Sequence, residues 1–147
     1  MTLTVTLAAL EDAPALAELA GQLGYPAPAA RLAIRLEGLL ARPDEHRTWV
    51  ARADGRAIGW LHAYVARHLV DDPYVEIGGL VVADGERGHG VGPRLIAEAD
   101  SWARTLGFDR IGVHSNVLRV DAHRFYEREG FVLEKRQGVL TRRLGGS

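Results

Sequence analysis

Glu86-Arg87-Gly88-His89-Gly90-Val91-Gly92-Pro93-Arg94-Leu95-Ile96-Ala97-Glu98-Ala99-Asp100-Ser101-Trp102 is the stretch whose reading decides the fold. A run of apolar β-formers, Val75 to Val82, leads into it. Val91, Leu95, Ala99, Trp102 and Leu106 then recur at spacings of three and four, which puts them on one apolar stripe of a helix. Pro93 falls in the first turn, where its missing N–H removes only a donor that has no helical partner anyway. Gly107 follows the last periodic residue and can close the helix in the left-handed conformation. The stretch therefore reads as strand, glycine loop, helix.

A helix start preceded by glycines attracts anions. Its first N–H groups have no intrahelical partner, and the macrodipole adds roughly half a positive charge. Gly88, Gly90 and Gly92 leave room for a phosphate, and Arg87 adds a positive charge; an ordinary tight turn is the alternative. A P-loop requires Gly-x-x-x-x-Gly-Lys-Ser/Thr, but the one lysine of the chain, Lys135, lies far downstream. A dinucleotide fingerprint requires Gly-x-Gly-x-x-Gly, and the spacing here is Gly-x-Gly-x-Gly.

Arg87-x-x-Gly90-x-Gly92, between a strand and a helix, resembles the acetyl-CoA pyrophosphate loop of the GNAT superfamily of N-acetyltransferases, Gln/Arg-x-x-Gly-x-Gly/Ala. The text downstream strengthens the likeness. Arg110-Ile111-Gly112-Val113-His114-Ser115-Asn116 resembles the family's fifth strand. Ala122-His123-Arg124-Phe125-Tyr126-Glu127-Arg128-Glu129-Gly130-Phe131 resembles its fourth helix and the strand after it. The resemblance is specific from about Tyr74 to Phe131 and looser over the N-terminal half.

Across the whole chain, 147 residues make one domain, residues 1–147, with a core of useful size. Hydrophobic residues at 47% and charged residues at 25% are the proportions of a soluble globular protein. A net charge of −1 gives no pull toward nucleic acid. With no cysteine, disulfides, thiolate metal sites and a cysteine nucleophile are excluded. No signal-peptide pattern and no membrane-length apolar run is visible, so the expected location is the cytoplasm.

Thr2 to Leu7 alternates as a strand. Asp12 and Pro14 mark a helix start, with Asp12 as N-cap and Leu16, Leu19, Ala20 and Leu23 inward. Tyr25-Pro26-Ala27-Pro28 breaks the chain and is the candidate mobile loop. A second helix over Ala29 to Ala41 turns Leu32, Leu36, Leu39 and Leu40 inward. Thr48–Ala53 and Ala57–Val65 read as strands joined at Asp54-Gly55, a hairpin signal because a type I′ turn needs positive φ. Asp71-Asp72-Pro73 is expected to break the chain before the Val75–Val82 strand. Arg110–Val113 is a short strand, Ala122–Glu129 a helix, and Phe131–Leu133 and Val139–Leu144 closing strands.

This order argues for an α/β sandwich with a mixed central sheet. The resemblance implies, in addition, a GNAT-like arrangement with splayed fourth and fifth strands and about four flanking helices. It implies that acetyl-CoA lays its pantetheine arm against the backbone of Leu80, Val81 and Val82. Its pyrophosphate would then meet Arg87, Gly88, His89, Gly90, Val91 and Gly92. Asn116 matches an asparagine that contacts coenzyme or positions substrate, although asparagine also serves simply as a turn residue. Tyr126 matches a tyrosine that protonates the departing thiolate and lies beside the coenzyme; otherwise it is a packed helical ring. Glu76 lies where many relatives carry a carboxylate base acting through water, or is a solvent-facing strand residue. His62 and His68 are alternative bases. His123 and Glu127 share a helical face but lack a third ligand, so no metal is expected.

The implied activity is direct transfer of an acetyl group from acetyl-CoA to a primary amine of a small cationic molecule, aminoglycoside-like or polyamine-like. Asp44, Glu45, Asp71, Asp72 and Glu76 would form an acidic mouth. A protein or peptide amine, and a non-catalytic acyl-CoA sensor, stay open as alternatives. No nucleic-acid or membrane partner is expected, and a homodimer is possible on the family's habits.

Overall fold

The computed structural model describes residues 2–25, 28–115 and 120–145. Two units emerge, Met1–His114 and Ser115–Ser147. The first contains a five-stranded sheet, β1 (Leu3–Leu7), β2 (His46–Ala53), β3 (Arg56–His68), β4 (Asp71–Val82) and β5 (Ile111–Val113), in that spatial order. β1 to β4 pair antiparallel, while β5 lies parallel to β4, so the sheet is mixed as expected. A parallel neighbour cannot be reached by a hairpin, and α3 (Val91–Thr105) supplies the crossover.

Local chemistry explains most of the boundaries. Asp54 and Gly55 take φ of 51° and 85°, the positive values a type I′ hairpin demands, and they join β2 to β3. The break expected at Asp71-Asp72-Pro73 does not occur. β3 and β4 continue to a tip at Leu69 and Val70, with Ala66 paired to Tyr74 and His68 to Asp71. The register slips there by one residue, Asp72 and Pro73 of β4 lying opposite Arg67 of β3, so Pro73 falls in a bulge, one of the places where a sheet tolerates proline.

α1 (Ala13–Gln22) and α2 (Ala29–Leu40) cover one face of the sheet, packing Leu16 and Leu36 with Val50 and, at the edge of the cluster, Trp60. Asp12 does not cap α1. Its carboxylate turns back to accept the Ala9 N–H at 2.8 Å and meets the Arg52 guanidinium at 2.9 Å. Leu40 and Leu106, expected inward, are exposed. Pro26 and Ala27 of the expected mobile loop lie outside the described residues.

α3 covers the opposite face with Val91, Leu95, Ile96, Ala99 and Trp102 buried. Trp102 meets Trp49 of β2 edge to face at 6.0 Å. The helix comes close at Gly59. A Cβ there would lie 2.9 Å from the Val81 carbonyl oxygen and 3.1 Å from a Val91 methyl.

The second unit contains α4 (Val120–Arg128). The strands expected over Phe131–Leu133 and Val139–Leu144 are not formed. Val132, Val139, Leu140 and Leu144 are exposed instead. A strand exists only through hydrogen bonds to a neighbour, and among the described residues this segment pairs with none. No helix among them is long and apolar enough to cross a membrane.

The α3 contact yields a paired test. Gly59→Ala forces its new methyl onto backbone and should lower stability by about 1–3 kcal/mol. Gly38→Ala, in α2 with open space around it, should raise stability by about 0.5–1 kcal/mol by restricting the unfolded chain. Denaturant midpoints measure both; wild-type stability in Gly59→Ala would contradict the close approach of β4 and α3 at this position.

Candidate functional site

One row crosses four strands on the α1–α2 face. His46 of β2 pairs with Tyr64 of β3, Tyr64 with Glu76 of β4, and Glu76 with Gly112 of β5. Cα partners in a ladder carry their side chains to the same face, so imidazole, phenol and carboxylate stand side by side. Glu76 is only 3% exposed, although a carboxylate is among the residues least often buried. Gly112 makes this possible: a Cβ there would lie 3.0 Å from Glu76 Oε1. The other carboxylate oxygen, Oε2, bonds to Nδ1 of His114, the first residue after β5. The His114 side chain is 72% exposed against 4% for that of Glu76.

Beside this row stands a second pair. His46 Nδ1 and His62 Nε2 share a hydrogen bond of 3.1 Å, and His62 stacks on Tyr64 with ring centres 5.8 Å apart. Burial, reinforced by His46, pushes the His62 pKa down to about 4. Burial and then Arg42 lower that of His46. Both rings are thus neutral near pH 7. Burial raises the Tyr64 phenol, and the charge of Glu76 adds to the shift.

Two residues beyond Glu76 the ladder slips again. His62 pairs with Gly79 and Ala63 with Ile77, leaving Gly78 as a bulge. β5 pairs with β4 only from Val75 to Ile77. From Gly78 to Val82, therefore, the β5 side of β4 carries no strand among the described residues. Leu80, Val81 and Val82 lie on this stretch, Val81 buried and its two neighbours half-buried; a strand edge without a neighbour is one that an extended, amide-bearing ligand can pair with.

β4 ends at the glycine loop. Gly88 and Gly90 take φ of 84° and 82°, and a Cβ on either would meet nothing within 4 Å. Gly90 is the N-cap of α3, so the first N–H groups of that helix face the loop. Arg87 is exposed and lies 3.4 Å from Asp84, while His89 lies 3.6 Å from Glu86. The Val91 and Gly92 positions are buried, which leaves only backbone to reach a ligand from Val91. Open space, positive-φ glycines and a helix start fit a pyrophosphate, and the free strand edge fits an amide-bearing arm.

In the second unit, Tyr126 is half-buried between Phe125 and Phe131, edge to face at 5.2 and 5.4 Å. His123 contacts Glu127 at 3.4 Å. Asn116 lies outside the described residues. His68 stacks on Tyr74 at 5.9 Å, one strand row beyond Glu76.

Glu76, Leu80, Val81 and Val82 and the loop residues 87–92 thus follow one another along β4 and its exit. Glu76 is not the solvent-facing strand residue that alternation permits. Tyr64, His46 and the His114 contact were not singled out from sequence. Two signals were available: Gly112 inside a short strand marks a close approach, and its spacing to His114 puts both on one face. Two carboxylates of the acidic mouth are ion-paired, Glu45 with Arg67 at 3.1 Å and Asp71 with Arg110, while Glu76 hydrogen-bonds His114.

Residues 13–131 match the model of the acetyltransferase (GNAT) family. The chain is 36% identical over 93 residues to an aminoalkylphosphonate N-acetyltransferase of Salmonella typhimurium, covering 63% of this chain and 60% of that protein. It is also 36% identical over 88 residues to an acetyltransferase of Agrobacterium fabrum, covering 60% of this chain and 59% of that one. The match thus spans less than two thirds of these relatives. In fold it resembles the apo aminoglycoside 6'-N-acetyltransferase AAC(6')-IG of Acinetobacter haemolyticus, with a TM-score of 0.86, 20% identity, and 97% and 99% of the two chains covered. It likewise resembles AAC(6')-Iy in complex with the bisubstrate analogue CoA-S-monomethyl-acetylneamine, with a TM-score of 0.86, 22% identity, and 98% and 100% covered.

The buried imidazole sets a pH test. Because the folded pKa of His62 is about 4 against 6.5 for the free side chain, the unfolded chain binds the extra proton. The contribution of neutral His62 is complete above about pH 6.5 and is lost as pH falls toward 4, up to about 3 kcal/mol in all. His62→Gln should flatten the unfolding free energy over that window in urea titrations at a series of pH values. An unchanged slope would contradict the buried neutral ring.

Proposed function

The chain belongs to the acetyltransferase (GNAT) family, and on that premise we propose that it transfers an acetyl group from acetyl-CoA to the primary amine of a small molecule. The carrying observation is the continuity of β4. A buried carboxylate, Glu76, is followed by a bulge, an unpaired strand edge over Leu80, Val81 and Val82, and the open glycine loop. A long donor with an anionic end and an amide arm fits this run, with its reacting end toward Glu76.

When bound, acetyl-CoA supplies the activated thioester that the amine attacks. The chain's own residues do the rest. Gly88, Gly90 and the backbone N–H groups opening α3 hold the pyrophosphate, with Arg87 and His89 at the rim. The Leu80–Val82 backbone aligns the amide arm as an added strand. The Glu76 site draws off the amine's proton, and Tyr126 gives a proton to the departing thiolate. Asn116 positions substrate or coenzyme.

The acceptor carries a primary amine. The ion pairs at Glu45 and Asp71 weaken the case for a highly cationic acceptor. The aminoalkylphosphonate relative supports a second reading, in which the amine belongs to a compound that also carries an anion.

Acetyl-CoA at about 100 times its dissociation constant should stabilise the fold by ~2.7 kcal/mol. Gly90→Val should lose that increment, because a branched side chain fills the open space over the loop. Calorimetry with and without acetyl-CoA measures it, and an undiminished shift in a folded Gly90→Val protein would refute the cradle. Turnover is followed as free thiol released with an aminoglycoside, a polyamine and an aminoalkylphosphonate. Glu76→Gln should lower kcat/KM by about 10²–10⁴-fold near pH 7, with partial recovery as rising pH frees the amine. Binding of acetyl-CoA without turnover of any amine would favour a sensor.

Tyr126→Phe keeps the ring between Phe125 and Phe131, so the fold should survive. A lost acid should cut kcat by about 10–10³-fold with little change in acetyl-CoA affinity. An acyl donor with a more acidic thiol should suffer less. Equal losses with both donors would mean that Tyr126 only binds or packs.

A further inference from the structure

We propose that His114 is the group that takes the acceptor amine's proton, with Glu76 acting through it as a buried positioning carboxylate. This deepens the acetyl-transfer reading above and rests on it. Three observations carry it. Glu76 Oε2 is bonded to His114 Nδ1. The carboxylate side chain is 4% exposed and the imidazole 72%, so what the acceptor side meets is the ring. Gly112, directly beside Glu76, has no side chain to separate the two, and a Cβ there would press on the carboxylate.

The contact also selects the tautomer. An ionised carboxylate only accepts, so Nδ1 must carry the hydrogen and donate it. That leaves the lone pair on Nε2, the nitrogen directed away from Glu76, where it can accept a proton. The charged and titratable neighbours among the described residues come from three strands. β3 supplies Tyr64 and the neutral His62, and β4 supplies Tyr74 beside Glu76 itself. Arg110, next to β5, lies over the Tyr74 ring and bonds Asp71, so its charge is already matched. The imidazolium formed at His114 has Glu76 as its counter-charge.

The step balances. The amine nitrogen forms its bond to the acetyl carbon as the carbon–sulfur bond breaks. Nitrogen loses one proton to His114 Nε2, and the electron pair leaves with sulfur, which is protonated separately. The exposed ring then releases its proton to solvent.

The test compares His114→Gln, His114→Ala and Glu76→Gln with wild type, using whichever of the three amines above is turned over fastest. Retention of the acetyl-CoA thermal shift certifies the fold of each variant. His114→Gln should lose about 10²-fold or more in kcat/KM near pH 7 and recover as pH rises. Added imidazole should rescue His114→Ala but not Glu76→Gln, a response that a packing role would not produce. Long-range ¹H–¹⁵N spectra of wild type should show the Nδ1–H tautomer at His114, and Glu76→Gln should lose it. Wild-type rates in both His114 variants with a slow Glu76→Gln would overturn the proposal and leave Glu76 as the base. Normal rates in all three would overturn the proposal and remove Glu76 from proton transfer too, while leaving the acetyl-transfer reading standing. If wild type acetylates none of the amines, the acetyl-transfer reading fails on its own, and an Nε2–H tautomer in wild type would separately sink the dyad.

Discussion

A carboxylate buried in the middle of a sheet must be matched, because an ion removed from water without a partner is strongly destabilising. Glu76 sets that condition here, and its neighbours answer it. β5 gives up a side chain at Gly112 so that the carboxylate has room, then offers an imidazole two residues later. β3 contributes Tyr64, whose phenol stays protonated beside the charge. β4 pairs with β5 for only three residues, Val75 to Ile77, which is just enough to bring Gly112 alongside. The same short pairing leaves the rest of β4 without a strand on that side among the described residues. Charge burial and ligand access thus come from one local choice of strand length.

Much of this order was legible in the chain. Periodicity at Val91, Leu95, Ala99 and Trp102 located α3 and its buried stripe, and Asp54-Gly55 located the first hairpin. The glycine loop was readable because backbone freedom and helix-start chemistry are local properties. What failed was non-local. Pro73 looked like a break, yet a bulge in β4 absorbs it. Asp12 looked like a cap, yet Arg52, forty residues away, draws its carboxylate aside. Val139 to Leu144 has the composition of a strand, and composition says nothing about whether a neighbour is there to pair with it.

The site divided along the same line. Glu76 was identifiable as a residue but not as a buried one, since alternation along β4 fits either exposure. The row from His46 through Tyr64 to Glu76 exists only once three registers are fixed, and each register depends on turns and bulges elsewhere. His114 is the instructive case. In sequence it is one histidine of six, and only the parallel pairing of β5 with β4 gives it a partner.

That parallel pairing also orders events in time. β2, β3 and β4 are successive antiparallel strands joined by tight hairpins, contacts that close quickly because little chain entropy is lost. β5 cannot reach β4 until the glycine loop and all of α3 have folded back across the sheet. The Glu76–His114 contact therefore waits on α3, whose docking at Gly59 must come before it. A chain halted before that stage would hold three strands of native pairing and none of its proton-handling chemistry.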